Sequence, residues 1–181
     1  MNLMLNRPRL PDSSQTKGPY GYAVWANLYK TVRTRGVKIE LWSRNRSAQP
    51  TGSGATFVGF QGSEDPIPVS DTDHMEHLLA RRNVIVKSNG VPAAGKNGST
   101  YIKAYRKLTN IEGHQIERDS DYWADTQQGD PAKFVKAYVG VTSAGNVDTD
   151  TSFDLTVRLT FYVDFWGIRD VPSNTLVDFA A

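Results

Sequence analysis

Residues 153–165, FDLTVRLTFYVDF, alternate between apolar and polar without a break. Phe153, Leu155, Val157, Leu159, Phe161, Val163 and Phe165 share one face, and Asp154, Thr156, Arg158, Thr160, Tyr162 and Asp164 share the other. A period of two, rich in β-branched and aromatic residues and free of Gly and Pro, predicts one long antiparallel strand with a dry face and a wet face. An apolar face of that length needs a surface to cover it, so the strand predicts a β-sandwich or barrel.

The same reading, carried along the chain, gives further strands separated by turn-rich connections. VKIELW at 37–42 alternates, with Val37, Ile39 and Leu41 on one side and Lys38, Glu40 and Trp42 on the other. ATFVGF at 55–60, the short core of Val84, Ile85 and Val86, TYIKAYRKL at 100–108 and FVKAYVGVT at 134–142 complete the set. WANLY at 25–29 reads as a helical turn or an extended lead-in. Asp71 is placed to cap a helix over 72–80, its side-chain oxygen taking free first-turn amides. Residues 110–133 form the longest stretch without a period, and a connection of that length predicts a surface role. The tail GIRDVPSNTLVDFAA predicts a segment lying over a surface or a neighbour.

Length and composition narrow the picture. The 181 residues fit one domain, 1–181, long enough to bury a core without staples, and the absence of cysteine removes disulfides and thiolate metal sites. Lys plus Arg number 21 against 19 for Asp plus Glu, a net charge of +2 that by itself demands no nucleic acid but can hide a one-sided distribution. No apolar run approaches about 18 residues, so no membrane-spanning helix is expected. The start, MNLMLNRPRLP, lacks the pattern of a secretory signal peptide.

Candidate chemistry is sparse. His74 and His77, beside Asp71, Asp73 and Glu76, are spaced to offer metal ligands from one helical face, but a solvated turn is the plainer reading and no metal is expected there. The pairs Asp71/Asp73, Asp119/Asp121 and Asp148/Asp150 suit a hard cation, or, more simply, turns in which Asp accepts backbone hydrogen bonds. No phosphate loop, nucleophile elbow or catalytic carboxylate frame is present, and neither catalysis nor a cofactor is expected. The basic residues are more informative. Lys30, Arg33, Arg35 and Lys38 form the densest run, followed by Arg44 and Arg46 and later by Arg81, Arg82 and Lys87, with Trp25, Tyr29 and Trp42 interleaved. Cations that neutralise phosphates beside rings that stack on bases hold single strands without reading sequence. A solvated sheet face with edge-protecting cations accounts for the same residues; both readings stand.

Three stretches carry a family resemblance: TVRTRGVKIELW at 31–42, AGNVDT at 144–149 and LTVRLTFYVDFWGI at 155–168. In order and spacing they resemble the capsid proteins of the circovirus-like group, small viruses with circular single-stranded DNA, and the likeness runs from about residue 32 to 165. The resemblance implies an all-β viral jelly roll, two facing four-stranded antiparallel sheets with long surface loops. It implies self-assembly into an icosahedral shell around single-stranded DNA, a virion location with passage through the host nucleus, and a host receptor or glycan as a further partner. In that group an Arg- and Lys-rich arm precedes the first strand, and this sequence shows none; the expectation is either that the sequence begins inside the first strand, with residues 1–6 as its remnant and most of the positive charge in an arm upstream of Met1, or that the genome is bound by other means. The genome-binding residues expected on the folded body are Lys30, Arg33, Arg35 and Lys38. A lectin-like carbohydrate-binding β-sandwich is the main alternative, since jelly rolls also serve as lectins, and a cupin-like metalloenzyme is a third.

Overall fold

The computed structural model describes residues 1–12, 19–46, 54–63, 83–89, 98–127, 129–143 and 153–169. In chain order the elements are β1 (Asn2–Met4), α1 (Tyr22–Leu28), β2 (Tyr29–Asn45), β3 (Gly54–Gln61), β4 (Val84–Asn89) and β5 (Ser99–Lys107). They continue with α2 (Thr109–Glu112), α3 (Gln115–Arg118), a 3-10 turn (Ser120–Tyr122), β6 (Ala124–Asp125), β7 (Lys136–Ser143) and β8 (Phe153–Ile168). The helix expected at 72–80, the AGNVDT turn at 144–149 and residues 170–181 of the tail lie outside the described residues.

The strands make two antiparallel four-stranded sheets. One runs β1-β7-β3-β4; in the other, β2 carries β8 along one edge and β5 and β6 along its opposite edge. The pairings nest. β3 pairs with β4, outside them in sequence β2 pairs with β5, and outside those β1 pairs with β7. A chain folded back on itself in this way, with successive pairs distributed over two facing sheets, has the strand order of a jelly roll.

Alternation decides which side chains meet between the sheets. Val37, Ile39 and Leu41 of β2, with Ile102 and Ala104 of β5, face Leu3, Val58, Phe60, Ala137 and Val139 of the other sheet. Leu5, Leu108, Ile116, Tyr122 and Val135 extend this cluster. All eight residues of β3 are buried, and on its second face Phe57 packs with Tyr138, Val84 and Val86 in a smaller cluster.

Two departures from the sequence reading have physical causes. β2, 17 residues long, is the strand flanked on both edges, whereas β8 pairs only with β2 among the described residues. The apolar face of β8 is the one the alternation gave, and Leu155, Val157, Leu159 and Phe161 pack on the core, yet none of the odd residues from 153 to 165 is fully buried. Alternation reports a face, not the number of neighbours in the sheet. The second departure is the stretch 110–133, which folds into α2, α3, the 3-10 turn and β6 and buries Ile116, Tyr122, Ala124 and Thr126. Buried Asn6 fastens it: Asn6 Nδ2 donates to the carbonyls of Tyr122 (3.1 Å) and Lys133 (2.7 Å), and its Oδ1 accepts from Val135 N (3.0 Å).

Candidate nucleic-acid interface

The outer face of the β5–β2–β8 sheet collects the basic and aromatic residues that the sequence scatters. Because Val37, Ile39 and Leu41 point inward, Lys38, Trp42 and Arg44 point outward. Tyr101, Lys103, Tyr105 and Lys107 do the same on β5, as do Asp154, Thr156, Arg158 and Tyr162 on β8. Register brings the aromatics together in pairs. Trp42 lies opposite Tyr101 and stacks on it at 5.2 Å, both rings being about 40% exposed (41% and 40%). Tyr105 meets Tyr162 edge-on at 5.4 Å across the strand between them. That crossing requires Gly36, since a Cβ there would stand 2.9 Å from Tyr105 Oη and 3.0 Å from the Arg106 carbonyl.

A bulge in β2 between Thr34 and Gly36 shapes the upper end of the face. Before it Val32 and Thr34 are buried; after it the buried set is Val37, Ile39 and Leu41, so the phase shifts by one residue. Arg35 is the extra residue, exposed, and both it and Arg33 reach one carboxylate. Asp164 Oδ2 accepts from Arg35 Nε at 2.5 Å and from Arg33 Nη2 at 3.1 Å. Burial works to raise the Asp164 carboxyl, but the hydrogen bonds from Arg35 and Arg33 outweigh it and hold it below the usual carboxylate range. The same bond to Asp164 raises Arg35. Arg33 also donates to the Glu117 carbonyl (3.0 Å) and lies 4.6 Å over the Trp166 ring, which stacks on Trp123 at 5.4 Å.

Lower on the face, Lys38 Nζ sits 3.0 Å from Glu40 Oε2, and Tyr101 Oη donates to Glu40 Oε1 at 3.0 Å. The bond from Lys38, then that from Tyr101, lowers the Glu40 carboxyl; burial first, then Glu40, raises the Tyr101 phenol. Arg46 pairs with Asp154, and Arg44 lies opposite Asp154 in the ladder.

The four expected binding residues therefore sit in different electrostatic states. Arg33 and Arg35 are brought together by a shared counter-ion, Lys38 has its own in Glu40, and Lys30 is exposed at the start of β2 with its side chain against Gly167. Trp25 and Tyr29 pack with each other and with Phe165, away from Lys38. Lys87 belongs to β4, where it donates to the Tyr101 carbonyl, and Arg81 and Arg82 lie outside the described residues. Among the described residues Lys103, Lys107 and Lys30 have no ion-pair partner. The two β5 lysines were missed in the sequence, although the alternation of Tyr101, Lys103, Tyr105 and Lys107 signals a solvated aromatic and basic stripe.

The acidic pairs resolve only at Asp119/Asp121. Asp119 Oδ1 accepts from Asp121 N (2.9 Å), starting the 3-10 turn, and Lys133 Nζ lies 3.1 Å from Asp119 and 3.8 Å from Asp121. The backbone bond from Asp121, followed by that from Lys133, lowers the Asp119 carboxyl. A lysine thus fills the place a cation would take. His74, His77, Asp71, Asp73, Asp148 and Asp150 are outside the described residues. No helix of the described residues is long and apolar enough to cross a membrane.

Comparison with protein-family models and with curated proteins finds no match. Among solved structures, the crystal structure of Israel acute paralysis virus is similar at 12% identity and a TM-score of 0.45, over 92% of this chain and 72% of that one. At that depth the likeness adds nothing to the strand order, from which the fold is read directly.

Proposed function

We propose that this chain is a capsid protein that self-associates into a closed icosahedral shell around circular single-stranded DNA, with the outer face of the β5–β2–β8 sheet turned to the genome. The observation that carries the reading is the combination on that face of two lysines with no ion-pair partner among the described residues, Lys103 and Lys107, with stacked and edge-on aromatic pairs. Phosphates are neutralised by the first and bases stack on the second, a chemistry that tolerates any sequence, as a packaged genome requires. The resemblance of residues 31–42 and 155–168 to circovirus-like capsid strands points the same way. Arg33, Arg35 and Lys38 serve as a secondary reserve, because each must leave a carboxylate before it can meet a phosphate, while Lys30 has no ion-pair partner among the described residues. The role needs no covalent chemistry and no cofactor. With a net charge of +2, this chain supplies only part of the neutralisation that a packaged genome needs.

The test is single-stranded DNA binding across a salt series, beside particle sizing. Lys103→Ala with Lys107→Ala should flatten the slope of log affinity against log salt by about 1.4, from about 0.7 per phosphate contact on a single strand. An unchanged slope removes the face from the genome side. A glycan-binding role is favoured by one observation, the exposed Trp42–Tyr101 platform, on which a sugar ring can stack. Saturable glycan binding lost in Trp42→Ala, with only small species in solution, would establish it instead.

A further inference from the structure

The Phe153 end of the outer sheet face differs in chemistry from the rest of it. Register sets the outward side chains of β5, β2 and β8 in rows: Ser99, Arg44 and Asp154 make one, and Tyr101, Trp42 and Thr156 make the next. These six residues line a cleft of about 330 Å³. That volume lies at the small end of the roughly 300–1,000 Å³ that ligand sites occupy, and it suits one planar group rather than a length of chain.

One wall of the cleft is aromatic. Trp42 and Tyr101 are exposed and stacked, and Glu40 accepts from Tyr101 Oη, so the platform is fixed before a ligand arrives. The other wall sets opposite charges side by side. Arg44 is exposed and has no ion-pair partner among the described residues. Asp154, its side chain 48% exposed, pairs with Arg46 through Oδ2, and its Oδ1 has no partner among the described residues. A carboxylate offers about four acceptor sites, so one ion pair leaves it able to bind more. Elsewhere on the face the carboxylates are taken up, Glu40 by Lys38 and Tyr101 and Asp164 by Arg33 and Arg35.

A guanidinium beside an open carboxylate presents donors next to acceptors. Unpaired bases expose the edges that answer such a pattern. Guanine answers it most fully: O6 and N7 accept from arginine, while N1–H and N2–H, beside O6, donate together to one carboxylate. Adenine and cytosine offer a carboxylate one amino group each. Thymine flanks its single N–H with carbonyl oxygens, which the charge of Asp154 repels.

We propose that this cleft is a seat for one guanine base of the packaged strand, its ring on the Trp42–Tyr101 platform, Arg44 donating to the O6 edge and Asp154 accepting from N1–H and N2–H. Resting on the reading of this face as the genome side, the seat adds a base preference at one point of a surface that is otherwise indifferent to sequence.

Fluorescence anisotropy tests it with labelled oligothymidylates of about eight nucleotides that carry dG, deoxyinosine or dT at the centre. Inosine lacks only the 2-amino group of guanine. Expected is binding of the dG oligomer roughly tenfold tighter than that of the dT oligomer, with the deoxyinosine oligomer losing most of the advantage. Asp154→Asn should bind all three alike, and the dT oligomer no more weakly than the unsubstituted chain does, because Arg46 is released; that binding also reports a folded protein. Equal affinities of the unsubstituted chain for the three oligomers, with a salt slope that still depends on Lys103 and Lys107, overturn the guanine seat and leave the genome reading standing. No binding of any oligomer overturns both. A dG preference that persists in Asp154→Asn overturns the seat, and so does saturable glycan binding that Trp42→Ala abolishes while the three oligomers are not distinguished.

Discussion

Replacing Asp164 by Asn tests the upper end of the basic face in two independent ways. Asp164 accepts from Arg33 and Arg35, and its side chain is 24% exposed, Arg33 15% and Arg35 66%. Asparagine keeps the volume and one acceptor oxygen but removes the charge both guanidinium groups share. A hydrogen bond to a charged group contributes roughly 1.5–3 kcal/mol when shielded from solvent. An exposed pair contributes only about 0–1 kcal/mol, which discounts the Arg35 bond. The expected loss is therefore about 1–3 kcal/mol, most of it from Arg33, which remains stacked over Trp166 without its counter-ion. The pH dependence follows from the direction of the Asp164 shift. Its carboxyl is held low in the folded chain, so the unfolded state binds the proton more tightly. The stabilisation is thus fully present above the unfolded value of about 3.9 and is lost as pH falls through the folded one. Urea denaturation at pH 7 should show the full difference between the two proteins, and the difference should shrink as pH falls below about 4. Single-stranded DNA should respond in the opposite sense: with Arg33 and Arg35 released, the variant binds more tightly and its salt slope steepens by up to about 1.4. Equal stability at neutral pH together with an unchanged slope would refute both the shared ion pair and the assignment of this face.

Two further substitutions probe the sandwich. Leu41→Ala, at a fully buried site on the flanked strand β2, should cost about 2–5 kcal/mol, while Leu159→Ala on half-buried β8 should cost less, about 1–2 kcal/mol; equal losses in urea melts would contradict the edge position of β8. Gly36→Ala should cost about 1–3 kcal/mol in the same assay, and Tyr105→Phe should not rescue it, because the Arg106 carbonyl 3.0 Å from the new Cβ remains; a full rescue would place the clash on the tyrosine hydroxyl alone.

What the sequence revealed and what it concealed follow the same physics. Residues 153–165 announce their face because nothing interrupts the alternation, and 37–42 do so for the same reason. The first third of β2 is illegible because the bulge at Thr34/Gly36 shifts the phase: Val32 and Thr34 point inward, and so do Val37 and Ile39. Read as one period, those residues cancel. The helices and turn between 109 and 122 escape notice because three- and four-residue elements have no period to show, and their order comes from distant partners such as Asn6. The binding face was half visible. Density of charge along the chain singled out Lys30, Arg33, Arg35 and Lys38, but whether a cation is free depends on carboxylates far away in sequence, Asp164 above all. Lys103 and Lys107 are less conspicuous as a run and better placed, because the register sets them on a face where the nearby carboxylate of Glu40 is already engaged by Lys38 and Tyr101.

Assembly on DNA is the claim on which the proposed function turns, and electron microscopy of the purified protein mixed with circular single-stranded DNA at low salt measures it most directly. Closed particles of uniform diameter that protect the DNA from nuclease are expected, with protection reduced in the Lys103→Ala, Lys107→Ala variant. Monomers or small oligomers at high concentration, with the DNA fully digested, would contradict it.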